Sequence, residues 1–512
     1  MFNFNKHNSR KKVVVFGTGG LASLVTKAIR SDVDILNYTD NNSSLHGKRF
    51  MGRTILSPTE LSSIKFDALI LASQAYKEIE QGLIDQNIAA DINIEYFTKY
   101  ATPGGKQSLR ESLEQLVFEF LSNFDNLITR TLLDYFYVDK GLALKSVSWL
   151  DEQKQNIVQT LANKKPFLST APHYLGTEQS KSLVEIPAVI LYRFKNAVTD
   201  YTSRTWIIDD RLIIERGLED GFEQGDYSGG RLIKYGKKLS IIKCYEEQLL
   251  DKALVINAVS DGNYYHCIIE LFSQLYYLDK IDARYSDYPI LLPKKTLSIA
   301  SLKACFDSLN IDREVILMDQ NKSYMVNDLL VITTPNNNLA INLKYGQSHA
   351  WQNYLRHETL NFISDCAINQ TKSMTSKFQS STRIYIGRKG PIRSFNQDEI
   401  TELLMDYGFE CYYTEDLSFL EQVSLFQNAE YIVGPTGAAW ANLIFSQKGA
   451  KALCWQAENL GDLACYPNLA TAYSVNLEYL TYKTNGKLTR ELFWENYQIS
   501  LQEIKSWLES NT

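Results

Sequence analysis

From Ala253 onward, short apolar runs of strand length alternate with stretches of helical character, and the alternation begins twice. Ala253–Val259, Pro289–Leu292, Glu314–Met318 and Asp328–Thr333 read as strands. After a helical stretch near Gly346–Asn369 come Arg383–Gly387, Phe409–Tyr413, Tyr431–Gly434 and Lys451–Trp455. Alternating strands and helices build parallel sheets, because each crossover returns over a sheet face. Two such series predict two α/β halves, with ligand crevices at the carboxyl ends of the strands. In the closing segment Tyr497, Leu501, Ile504 and Leu508 share one helical face, which predicts a terminal helix packed back across the two halves.

A third α/β pattern comes earlier. The β-branched run Lys12–Phe16 leads into Gly17-Thr18-Gly19-Gly20-Leu21-Ala22, then a helix with Leu21, Leu24, Val25, Ala28 and Ile29 on one side. A strand over Asp34–Tyr38 ends near Asp40, and Asp67–Ala72 supplies another. This is the order a dinucleotide site uses: glycines admit phosphate at a helix N-terminus and the acid takes a ribose hydroxyl. Gly17, Gly19, Gly20 and Asp40 are therefore candidate nucleotide-binding residues, against the alternative that the glycines serve only a tight turn. The stretch Tyr38–Asn42 with His46–Gly52 resembles the small Rossmann-like, nucleotide- or CoA-binding-like domains fused to bacterial polysaccharide enzymes.

Thr102-Pro103-Gly104-Gly105 closes this unit. Beyond it Leu109, Leu113, Leu116, Phe120, Phe124 and Leu127 predict a long amphipathic helix, a core stripe or the seam of a homodimer through residues 106–137. A second, polar helix is expected around Asp151–Ala162. From Leu183 to Lys243 the period becomes that of antiparallel strands, with Asp209 and Asp210 at a solvated hairpin end. The expected organisation is a Rossmann-like domain over 1–105, a helical connector over 106–165, and two halves over 166–375 and 376–512, the first led in by the β-rich segment.

Composition excludes several classes. A formal net charge of -6 gives no general attraction for nucleic acid. No run of about 18 apolar residues occurs, so no transmembrane helix is expected. The opening MFNFNKHNSRKK lacks the apolar core of a secretory signal. The seven cysteines form no Cys-x-x-Cys pair and read as buried thiols in a reducing cytoplasm. A cytoplasmic enzyme, or one at the inner face of the membrane, is expected.

Asn263-Tyr264-Tyr265-His266-Cys267-Ile268-Ile269-Glu270 resembles the N-x-x-H-x-x-x-(D/E) segment of glycosyltransferase family 61. Arg383–Gly390 with Arg393 and Asn396, then Gly408-Phe409, Glu415–Gln422 and Val433–Asn442, follow in that family's order over about 200 residues. The resemblance implies a GT-B fold and an inverting, metal-independent transferase with no cofactor beyond its nucleotide-sugar donor, a UDP-sugar first among them. It further implies a glycan or glycolipid acceptor and work beside other enzymes of bacterial capsule or surface-polysaccharide assembly. Thr436 departs from the family, which has histidine there; a hydroxyl can donate to phosphate but carries no charge.

The residues themselves suggest the chemistry. Arg388 lies just past a strand, where its fork can grip two phosphate oxygens. The Gly434–Gly437 turn precedes a helix whose free N–H groups carry partial positive charge. Together they form a clamp for a leaving diphosphate. His266 and Glu270, four apart, share a helical face and supply the base, either residue serving while the other orients it. Arg393, Asn396, Glu415, Gln422, Thr436, Ala438 and Asn442 complete the expected donor site; Asn396 and Glu415 also suit simple helix-start roles. Two other readings stay open: an NAD(P)-linked sugar-modifying enzyme, and an inactive nucleotide-sugar-binding or scaffold protein.

Overall fold

The computed structural model describes residues 10–18, 22, 25–26, 33–73, 76–86, 88, 92–96, 118, 120–121, 123–124, 128–130, 140–200, 205–214, 232–242, 245–258, 260–320, 322–338, 353–372, 382–390, 393–484 and 495–511. It is a mixed α/β protein with three large sheets, and its N-terminal part is rich in strands.

The first sheet holds β1 (Lys11–Phe16), β2 (Val33–Thr39), β3 (Arg49–Phe50), β4 (Arg53–Leu56), β5 (Ala68–Leu71) and β6 (Ile94–Tyr96), ordered β3-β4-β2-β1-β5-β6. All neighbours run parallel except the β3–β4 hairpin. Val13 and Val15 enter one core cluster with Ala22 and Val25, while Val14 and Phe16 enter another with Leu61, Ile79 and Leu83. Both faces of β1 are buried, which explains its unbroken apolar run. Gly19, Gly20 and most of the helix expected after them lie outside the described residues, as does most of the helix expected over 106–137.

The second sheet has eleven strands. It takes in β7 (Lys140–Ser146) and β8 (Ile157–Ala162), both inside the stretch expected to be a helical connector. The polar helix expected around Asp151–Ala162 is replaced by short 3-10 turns at Val147–Glu152 and Lys154–Asn156, followed by β8. The reason is packing: Val158, Leu161 and Ala162 join the core while β8 pairs with a long strand of the sheet. A two-stranded ribbon, β9 (Lys165–Thr170) and β11 (Lys181–Ile186), flanks β10 (His173–Tyr174). Then come β12 (Val189–Thr199), β13 (Thr205–Ile208), β14 (Arg211–Ile214), β15 (Leu232–Tyr235) and β16 (Leu239–Ile242). Asp209 and Asp210 join β13 to β14, both exposed and with φ of 50° and 58°. They make the solvated hairpin end expected of them, in the mirror-image turn that suits strand twist.

The sheet continues through β17 (Glu246–Val255), β18 (Ile290–Pro293), β19 (Val315–Met318) and β20 (Lys322–Ile332), in the order β20-β17-β18-β19, all parallel. Antiparallel pairing of β12 with β20 joins this parallel part to the β-rich part. A small pair, β21 (Asn337–Asn338) and β22 (Asn353–Tyr354), follows.

The third sheet comprises β23 (Arg383–Ile386), β24 (Glu410–Tyr412), β25 (Tyr431–Pro435), β26 (Lys451–Ala457) and β27 (Asn476–Tyr482), ordered β10-β27-β26-β25-β23-β24 and parallel throughout. The terminal helix, Leu501–Asn511, buries Ile504, Trp507 and Leu508. Its hydrogen bonds go to Tyr431, Lys451 and Glu478, so it packs on this sheet instead of crossing between halves as expected. Tyr497 precedes the helix and stacks on Tyr482 and Phe395. One core cluster runs from Val189 to Leu508, joining the parallel part of the second sheet to the third.

Gly17 has φ +110°, and a Cβ there would lie 2.8 Å from the Ala72 carbonyl oxygen. Gly17→Ala is expected to cost about 1–3 kcal/mol locally. Hydrogen exchange should report it as faster exchange of amides in β1 and β5.

Candidate active site

Arg388 leaves the end of β23 through Gly387, where a Cβ would strike the Tyr413 ring at 2.7 Å. Its backbone N–H donates to Gln397 Oε1 at 2.7 Å, and Gln397 Nε2 donates to Tyr413 OH at 3.3 Å. The guanidinium turns to the next strand, donating from Nη2 to the Thr436 carbonyl at 2.6 Å. A Cβ on Gly437 would sit 3.2 Å from that nitrogen. Arg388 Nε is buried with no hydrogen-bond partner. Arg393 stands close by with φ +56°. Burial, then the charge of Arg388, push its guanidinium down to about 10. Two like charges are thus drawn together at the carboxyl edge of a parallel sheet.

Gly434 lies in β25, where a Cβ would be 3.0 Å from the carbonyl oxygen of Ile386, so it lets β25 lie tight against β23. Thr436 is buried, and both its N–H and its hydroxyl donate to the Trp455 carbonyl. The hydroxyl is therefore committed to β26, not turned toward phosphate as the sequence suggested. Gly437 opens the 3-10 helix Ala438–Phe445, braced by Trp440 Nε1 donating to the Pro435 carbonyl at 2.8 Å.

Other expected donor residues spend their polar atoms inside the protein. Asn442 Nδ2 donates to Gln422 Oε1 at 3.0 Å, and Gln422 Nε2 donates to the carbonyls of Thr414 and Leu417. Asn396 exchanges hydrogen bonds with the backbone of Ile499 and gives no side-chain cap to its helix. Glu415 is exposed in the turn Thr414–Asp416.

On the other half, Asn263 caps the turn Tyr264–His266, accepting from the His266 N–H at 3.3 Å. The helix then widens into a π-helical turn, Cys267–Leu271. Such turns are rare and recur at functional sites. His266 Nδ1 lies 3.0 Å from Glu270 Oε1, with both residues buried. Tyr265 presents its ring edgewise to His266 at 5.7 Å and to Tyr466 at 5.5 Å. Tyr466 is raised by burial and by neighbouring thiols, and pulled back by Arg393 and Arg388. The structure thus brings His266 and Glu270 to one side of a Tyr265–Tyr466 contact and the two arginines within electrostatic reach of the other. Tyr264 OH donates to Asn442 Oδ1 at 2.8 Å, a hydrogen bond between the halves.

Sequence reading missed Gln397, Tyr466 and Asp261. Asp261 follows β17 and is 5% exposed, with Oδ2 lacking a hydrogen-bond partner. Lys295 Nζ stands 3.9 Å from Oδ1, its stem passing over Gly262 where a Cβ would be 2.7 Å away. Burial pushes the Asp261 carboxyl up, more than Lys295 pulls it down. Only its place just before Asn263 signalled it.

In the N-terminal sheet, Thr18 Oγ1 donates to Asp40 Oδ2 at 2.7 Å and the Asn42 N–H to Oδ1 at 2.9 Å. Asp40 is thereby held between the loop after β1 and its own loop after β2.

The chain carries a glycosyltransferase domain. Residues 264–453, which hold both clusters, match the family Glycosyltransferase 61, and residues 9–92 match C2185-like, N-terminal. No curated protein matches the chain. Among solved structures, the crystal structure of RSP, a Rex-family repressor, is similar at 13% identity with a TM-score of 0.15, over 25% of this chain. The matched part spans 64% of that repressor's length.

Because Asp261 is raised in the folded state, it binds its proton more tightly there than when unfolded. Its contribution is full below the ordinary carboxyl value of 3.8 and is lost as pH rises through the folded value. Asp261→Asn should therefore raise the thermal midpoint at pH 7, the gain shrinking toward zero as pH falls below 3.8.

Proposed function

We propose that the chain moves a sugar from a nucleotide-sugar donor, a UDP-sugar first among them, to a glycan or glycolipid acceptor, with inversion and without a metal. The observation that carries this is the pair Arg388 and Arg393 set against the turn before a helix start. Departure of a nucleoside diphosphate puts negative charge where the two guanidiniums and the N–H groups at Ala438 can meet it. Arg388 Nε, buried and without a hydrogen-bond partner, is a donor that a phosphate oxygen would satisfy. In this scheme no divalent ion is needed to neutralise the leaving group.

His266 and Glu270 form the base: one takes the acceptor proton while the other orients it. Attack from the face opposite the leaving group inverts the anomeric carbon. Two α/β halves sharing the site fit a GT-B arrangement, in which the parallel sheets offer their carboxyl edges to one crevice. The N-terminal sheet is read as a Rossmann-like module in which Gly17, Gly19, Gly20 and Asp40 take a nucleotide. Phe120, Phe124 and Ile128, all exposed, support pairing of two copies through this connector. Capsule or surface-polysaccharide assembly in the cytoplasm, beside other enzymes of that assembly, is the setting this reading favours.

Incubation of the purified chain with a panel of nucleotide sugars and glycan acceptors should release nucleoside diphosphate and form product of opposite anomeric configuration, seen by NMR. Turnover should persist in excess chelator; loss on chelation with rescue by a divalent ion would contradict the metal-free step. Arg388→Ala should lower turnover by about a hundred- to a thousand-fold with an unchanged thermal midpoint. Reduction of NAD(P) without nucleotide release would favour a redox enzyme instead, and binding without turnover a scaffold.

A further inference from the structure

Strands β17 and β18 lie side by side and parallel, so both deliver their loops to one carboxyl edge, where α/β proteins bind ligands. The loop after β17 carries Asp261 and leads into the helical turns of His266 and Glu270; the helix Lys294–Ser298, directly after β18, carries Lys295. Thr296 Oγ1 donates to the Asp261 carbonyl at 2.6 Å and pins the two loops together. Cys267 ties the same loop to the π-helical turn, its Sγ donating to the Ser260 carbonyl at 3.7 Å. Burial and then the charge of Asp261 push that thiol up, and Glu270 adds to the effect. Asp261 and Glu270 are thus both within electrostatic reach of one sulfur.

The backbone of Asp261 is held, but half of its carboxyl is not. Oδ2 is buried and has no hydrogen-bond partner among the described residues. Such an oxygen is costly to leave unmet in a fixed loop. Lys295 does not meet it: the ammonium stands 3.9 Å from the other oxygen, too far for a hydrogen bond, and donates to nothing else among the described residues. Its side chain is 45% exposed and lies over Gly262, where no Cβ keeps it away. A rotamer change, fast for an exposed side chain, would uncover the carboxyl beneath. Asn257, on the same loop and 1% exposed, also leaves Nδ2 without a partner, although its carbonyl accepts from Gln274 Nε2 at 2.9 Å. The charges of Lys295 and Asp261 cancel, so the loop selects no ion. What stands unmet is hydrogen-bonding capacity, one acceptor and one donor, and hydroxyl groups meet both kinds.

We propose that Asp261 determines acceptor specificity: Oδ2 accepts a hydrogen bond from a hydroxyl of the acceptor sugar, close to the hydroxyl that His266 and Glu270 deprotonate, while Lys295 turns aside to a neighbouring oxygen of the same ring. That the hydroxyl belongs to an acceptor rests on the transferase reading; that the carboxyl awaits a donor rests on its unmet oxygen.

Ligand-observed NMR on the full chain, saturated with UDP, tests this with maltotriose, cellotriose, xylotriose and chitotriose. At least one should bind, and Asp261→Asn should weaken it at least tenfold, because the amide turns its oxygen to Lys295 and puts an N–H donor where Oδ2 accepts. The same variant should bind UDP as the parent chain does and melt no lower at pH 7. Weaker sugar binding without loss of stability is a pairing that a purely structural carboxyl would not give. Unchanged sugar binding by the variant, loss of its UDP binding as well, or no binding by any of the four sugars overturns the proposal. Failure of the transferase reading is seen separately, as no nucleotide release by the parent chain.

Discussion

The candidate site depends on one placement: the Arg388 guanidinium lodged against the Thr436–Gly437 backbone. Several local features are needed to put it there. Gly387 lets the chain leave β23 beside Tyr413, Gln397 fixes the Arg388 amide, and Gly437 leaves room that any side chain would fill. The arrangement is costly on its own terms, because Arg393 is brought near a like charge in a buried place. Strain of this kind is relieved by a bound anion, which makes the cost intelligible as preorganisation for a diphosphate.

The same cluster is tied to the other half by side chains that carry no charge. Tyr264, Asn442 and Gln422 form a buried hydrogen-bond chain that ends on the carbonyls of Thr414 and Leu417. Tyr265 reaches Cys465 and Tyr466 beside it. Asn442 and Gln422, which the sequence suggested as donor contacts, thereby position the helix that bears His266 relative to the loop that bears Glu415. A buried network of this sort is demanding, since each unmet partner would cost about 1–3 kcal/mol, and it fixes one arrangement of the halves.

Much of this was legible in the sequence, and the exceptions have physical reasons. The central strands announced themselves because both of their faces are buried, as in Val13–Phe16 and Ile290–Leu292. β27 is half-buried, with polar residues spaced among apolar ones, and so lacks the continuous apolar run of its neighbours, while β8 has polar neighbours that suggested a helix. The spacing of His266 and Glu270 was readable, although the π-helical turn between them was not. The orientation of Thr436 depends on a carbonyl 19 residues away in β26, and no local pattern encodes that. Asp261 is a lone acid before a glycine; only its burial sets it apart.

Calorimetric titration of the parent chain with UDP, UMP and uridine tests most directly whether this site holds a diphosphate. If the two arginines and the helix start hold the leaving group, affinity should fall steeply from UDP to UMP to uridine, and the UDP affinity should weaken with salt. Equal affinity for uridine and UDP, indifferent to salt, would mean that these cations serve the fold and not the reaction.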